Sequence, residues 1–106
     1  MSVMMTLWLK GDPKKLEEIA QSDPDRIRAI SEGGKQHGLI AHRFYGSDDG
    51  QILVVDEWPD EQSFRTFFQE QQEHIQPLMQ DAGVTSEPAI VFWRKLETQD
   101  EVGWGA

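Results

Sequence analysis

The chain has 106 residues, with 19 acidic and 10 basic side chains and a formal net charge of −9. That length supports one domain, and the acidic excess argues against nucleic acid and anionic membrane, which both need a basic footprint. The absence of cysteine removes disulfides, thiolate metal sites and cysteine nucleophiles.

Val3 to Lys10 reads as a strand, rich in large apolar residues and stopped by Gly11-Asp12-Pro13. Asp12 and Pro13 suit the N-cap and first position of a helix, where the missing proline N–H costs nothing. Leu16, Ile19 and Ala20 begin its apolar stripe. Asp23-Pro24 repeats the device, and Ile27 and Ile30 continue the stripe. This predicts two short helices, or one broken near Ser22, ending near His37 with Gly38 just beyond. Gly33-Gly34 costs about 2 kcal/mol relative to two alanines, so fraying is expected there.

Leu39 to Gly46 and Gln51 to Trp58 read as strands around the turn Ser47-Asp48-Asp49-Gly50. Phe64, Phe67, Phe68, Ile75, Leu78, Met79 and Ala82 then follow helical periodicity. Asp60 is the expected cap, Gly83 the terminator, and Pro77 the expected kink. Pro88 to Leu96 is the last strand. Residues 1–96 form the expected domain and 97–106 a tail, ordered only if Val102 or Trp104 docks. The order β-α-β-β-α-β predicts an α+β, ferredoxin-like fold, with a four-stranded antiparallel sheet in the order 4-1-3-2 and helices on one face.

The strands are apolar on both faces, as Met5, Leu7 and Leu9 alternate with Met4, Thr6 and Trp8. A one-sided sheet would alternate apolar with polar. A homodimer joined through its sheet faces would cover the second face. No apolar run approaches the ~20 residues of a membrane span. The opening MSVMMTLWLKGD lacks the basic region of a secretion signal, so a cytoplasmic location is expected.

The segment GLIAHRFYGSDDGQILVVDEWPDEQSFRTFF, Gly38 to Phe68, resembles the antibiotic-biosynthesis-monooxygenase-like domains of the dimeric α+β barrel superfamily. The features that carry it are a strand ending in two acids and Trp58, then a capped helix with Phe64 and Phe67. The resemblance implies two sheets packed face to face, with a pocket between each sheet and its own helices. It also spans cofactor-free monooxygenases, haem-degrading enzymes, isomerases and members without known activity. Quinone-forming relatives place an Asn and a Tyr where this chain has Val54 and Phe64, so their phenol-holding pair is missing. Haem-degrading relatives carry a strand Asn and a helix His where this chain has Thr6 and Pro77, with His74 one turn early. Haem binding is not expected, and no cofactor is.

Among the ionisable residues, His42 stands in a strand, either as a base or as a hydrogen-bonded structural histidine. Asp56 and Glu57 must point to opposite sides of the sheet. If Gly46 pairs with Gln51, Arg43 and Asp56 share one face and His42 shares the other with Glu57; a one-residue change swaps these assignments. His74 could reach a pocket mouth or simply face solvent. Trp8, Trp58, Phe64 and Phe67, with Arg43, are the candidate binding residues for a small apolar or aromatic ligand, against a competing role in core packing. His42, His74 and a carboxylate lie on three elements without ligand spacing, so no metal is expected. There is no phosphate loop, nucleophile elbow or dinucleotide fingerprint. The expected function is a cofactor-independent monooxygenase acting on a small aromatic or polyketide-like molecule. The alternative is a non-catalytic ligand-binding or assembly domain.

Overall fold

Alternation along the strands sorts the chain into two faces. The structure, a computed structural model, describes residues 1–104; Gly105 and Ala106, the end of the expected tail, lie outside the described residues. The elements are β1 (Val3–Lys10), α1 (Pro13–Ser22), α2 (Pro24–Gln36), β2 (Ala41–Gly46), β3 (Gln51–Trp58), α3 (Glu61–Glu70), α4 (Gln72–Asp81) and β4 (Ala89–Trp93). The four strands are antiparallel neighbours in the order β2-β3-β1-β4, the ferredoxin-like arrangement expected. Among the described residues no helix is long and apolar enough to cross a membrane.

Met5, Leu7 and Leu9 of β1 and Ile52, Val54 and Trp58 of β3 are buried, together with Leu16, Phe64, Phe67 and Leu78 from the helices. All helices therefore cover one face. Burying each of these large side chains stabilises the fold by about 1.5–3 kcal/mol.

The helix ends follow their sequence signals. Asp12 accepts from Lys14 N–H at 2.9 Å, and Asp60 from Ser63 N–H at 2.7 Å. Asp23 occupies the N-cap of α2 but makes no side-chain capping bond. At the C-terminus of α2, Gly38 has φ +90°; its N–H reaches Lys35 O, and Leu39 N–H reaches Gly34 O, the reciprocal pair of a Schellman motif.

Several expectations need correction. The Gly33-Gly34 pair does not fray: α2 runs through it to Gln36. A Cβ on Gly33 would lie 2.5 Å from Gln71 Nε2, and one on Gly34 2.8 Å from the Leu39 side chain. Tight packing uses the missing side chains and outweighs the helix propensity. The second long helix is divided at Gln71, which fits against Gly33, and Pro77 lies inside α4. β2 and β4 are shorter than expected, and Val102 and Trp104 of the tail are each 88% exposed.

Of the two hairpin registers left open, the structure takes the one shifted by a residue. Gly46 lies opposite Ile52, not Gln51, and His42 lies opposite Asp56. The loop is Asp48-Asp49-Gly50, closed by Ser47 N–H to Gln51 O at 3.0 Å, and Gly50 has φ +86°. A three-residue loop ending in a left-handed glycine makes Ser47 and Gln51 the closing pair, which sets every pair after it.

Candidate active site

With this register, His42, Phe44, Asp56 and Trp58 project from the helix-covered face of β2 and β3. Asp56 is buried, with 4% exposure. Its Oδ1 stands 2.7 Å from His42 Nδ1, and its Oδ2 accepts from Trp58 Nε1–H at 3.0 Å. With Asp56 as a carboxylate, which only accepts, the contact assigns the hydrogen to Nδ1. The indole fixes one carboxylate oxygen, the other fixes the imidazole, and Phe44 meets the ring edge-on at 4.9 Å. Nε2 has no hydrogen-bond partner among the described residues, and the His42 side chain is 26% exposed. That leaves Nε2 free to take a proton or hold a ligand hydroxyl.

Beside this group lies a cavity of about 460 Å³ between the sheet and the helices. Trp58 packs against Phe67 at 5.1 Å and Phe64 at 5.7 Å, and Phe64 stacks on Phe68 at 5.2 Å. The result is an aromatic wall with one polar relay, within the range of small-molecule sites.

The other candidates divide clearly. Trp58, Phe64 and Phe67 line the cavity with His42 and Asp56. Trp8 is on the opposite face of β1, where its indole donates to Gln51 Oε1 at 2.8 Å. Arg43 also faces away, donating to Tyr45 Oη at 3.2 Å, with its guanidinium 5.8 Å from the Trp104 ring centre. Both alternate with inward neighbours, so neither reaches the cavity. His74 is on a separate groove with Arg26, Gln71 and Pro77, and its Nε2 is 3.4 Å from Glu73 Oε1. It does not converge with His42 and Asp56.

Two features escape the sequence reading. The His42–Asp56–Trp58 chain needs the correct register, for which the Asp48-Asp49-Gly50 loop was the available signal. Gln72, Gln76 and Gln80, at successive helical turns of α4, also line the cavity. Their spacing of four was legible, but their direction was not.

No family model matches the chain, and no curated protein does. Solved structures do match. A conserved protein from Methanosarcina mazei Go1 is 19% identical with a TM-score of 0.65, over 91% of this chain and 94% of that one. The monooxygenase ActVA-Orf6 of Streptomyces coelicolor, solved in complex with nanaomycin D, is 20% identical with a TM-score of 0.63, over 95% and 92%. A variant of SnoaB, a cofactor-independent oxygenase from Streptomyces nogalater, is 16% identical with a TM-score of 0.61, over 92% and 98%. The resemblance that Gly38 to Phe68 carries is thus a resemblance of the whole fold, and the chain has the ferredoxin-like α+β architecture found in these monooxygenase structures.

Proposed function

We propose that this chain is a cofactor-independent oxygenase of a small hydroxylated aromatic molecule, with His42 as its base. The observation that supports this reading is the His42–Asp56–Trp58 chain on the wall of an apolar cavity. The Asp56 contact sets the imidazole tautomer and would stabilise the imidazolium formed on proton uptake, while Phe44 and Phe68, half-buried on the cavity wall, offer ring surfaces to a flat ligand.

In the proposed reaction Nε2 takes a proton from an activated ring carbon. The resulting carbanion passes electrons to dioxygen and a C–O bond forms. The peroxide takes the proton back from the imidazolium and then loses water, leaving a carbonyl. One dioxygen atom ends in the carbonyl and the other in water; the ring carbon is oxidised and dioxygen is reduced.

Anthrone is a suitable probe, because its central CH2 is acidic and its product is the quinone. Oxygen uptake should be catalysed by the wild-type chain. In His42→Asn it should fall by about a hundredfold or more, with folding stability kept within about 1 kcal/mol. Unchanged uptake would remove His42 as base. Binding of anthrone without uptake would support the ligand-binding alternative instead.

A homodimer through the outer sheet face belongs to the same reading. Val91, Trp93 and Tyr45 are 43%, 54% and 47% exposed there. A second copy would cover this apolar surface.

A further inference from the structure

The cavity is polar at two ends, and the strand register measures their separation. His42 and Asp56 stand at the level of Met5, which pairs with Asp56 on β1. The other end is marked by Ser86 and Glu87, both on the cavity wall; Ser86 Oγ accepts from Lys10 N–H at 2.9 Å. From Met5 to Lys10 is a span of about 16 Å at ~3.3 Å per residue.

Between these ends, the edge contributed by α4 is polar. Gln72, Gln76 and Gln80 succeed one another toward the Glu87 end, because α4 finishes where Asp12 N–H bonds Ala82 O. Gln72 donates to Phe68 O at 3.0 Å, while Gln76 and Gln80 are exposed at the rim. The charges are one-sided: the lining includes Asp56 and Glu87, but no Lys or Arg among the described residues. The Lys10 side chain falls on the other face by strand alternation. An anionic group brought to this solvent-facing rim would meet Glu87 and find no Lys or Arg on the lining, the Lys15 ammonium standing outside it beside Gly83.

The geometry points to a charge-selective cavity: its ligand is an elongated hydroxyaromatic molecule that presents its acidic hydrogen to His42 and an uncharged or cationic polar group to Gln80 and Glu87, and ligands with a carboxylate or phosphate at that far end are rejected. This rests on reading the cavity as a ligand site.

Three matched probes test it: 2-naphthols whose 6-butyl chain ends in an amine, a methyl ester or a carboxylate. Titration calorimetry on the full chain should find the amine and ester bound, and the carboxylate at least about tenfold weaker than the amine. Glu87→Lys should reverse the order of amine and carboxylate. Because Glu87 is exposed, this change should leave the fold intact, which a thermal melt verifies. Glu17→Gln, on the exposed side of α1, removes one negative charge away from the cavity and should leave the ratio unchanged. Equal binding of the three probes, or an order unmoved by Glu87→Lys, would overturn charge selection while leaving a ligand site. A ratio that Glu17→Gln shifts as much, per unit of charge changed, as Glu87→Lys does would also overturn it, assigning the preference to net charge. Failure of all three probes to bind at millimolar concentration would overturn the ligand-site reading and the inference with it.

Discussion

The two faces of the sheet are built from the same strands, yet they do different things. On the inner face Met5, Ile52 and Trp58 are 0% exposed, and the carboxylate among them, Asp56, has a partner on each oxygen. On the outer face Trp93 is 54% exposed, with its indole N–H on Thr6 Oγ1, and Val91 is 43% exposed. Both faces are apolar in sequence. The difference teaches that composition fixes how much apolar surface a sheet has, whereas the attached helices decide which half is core. The outer half remains for another surface to cover.

The strongest way to break the comparison is Phe67→Ala. Phe67 is 7% exposed and touches Trp58, so the loss should be about 3–5 kcal/mol by urea unfolding. A loss below about 1 kcal/mol would mean the side chain borders open space and the inner face is not a packed core. On the outer face the exposed Trp93→Glu should change folding stability much less but should disrupt the proposed dimer. Sedimentation should then move from twice 12.2 kDa to that mass. A wild-type chain that already sediments as a single copy would end the dimer proposal.

A smaller effect sharpens the inner face. Asp56→Ala leaves the Trp58 indole N–H without its acceptor and should cost about 1–3 kcal/mol. Adding Trp58→Phe removes that stranded donor, so the double variant should lose less than the two single losses added together. Strict additivity would show that the indole–carboxylate bond contributes nothing. The smallest effect lies at the entry to α3. The Asp60 carboxyl is held below its ordinary value of 3.8, first by Ser63 N–H and then by the Ser63 hydroxyl. Its folded value is lower than its unfolded one, so its contribution is present above the unfolded value and lost as pH falls through the folded one. Melts from about pH 5 to about pH 2.5 should therefore converge for wild type and Asp60→Asn at the acid end. A gap that stays constant with pH would assign the effect to something other than the carboxylate charge.

By itself the sequence determined the element order, the sheet order and most element ends. These are local matters: Pro13 and Pro24 open helices, Gly38 and Gly83 close them, and period-two or helical spacing marks what lies between. It also supplied His42, Asp56, Trp58, Phe64 and Phe67 as candidates that the fold brings to one cavity. The tertiary structure alone decided which of them meet. A side chain's face depends on register to a single residue, and the loop ending at left-handed Gly50 selects one of the two pairings left open. That step placed His42 with Asp56 and sent Arg43 to the opposite face. Helix propensity likewise could not foresee that Gly33 and Gly34 stay helical, because the compensating contacts come from Gln71 and Leu39, which are distant or beyond the helix end. Local signals act through the backbone of a few neighbouring residues, whereas the site depends on where separate elements stop sliding past one another.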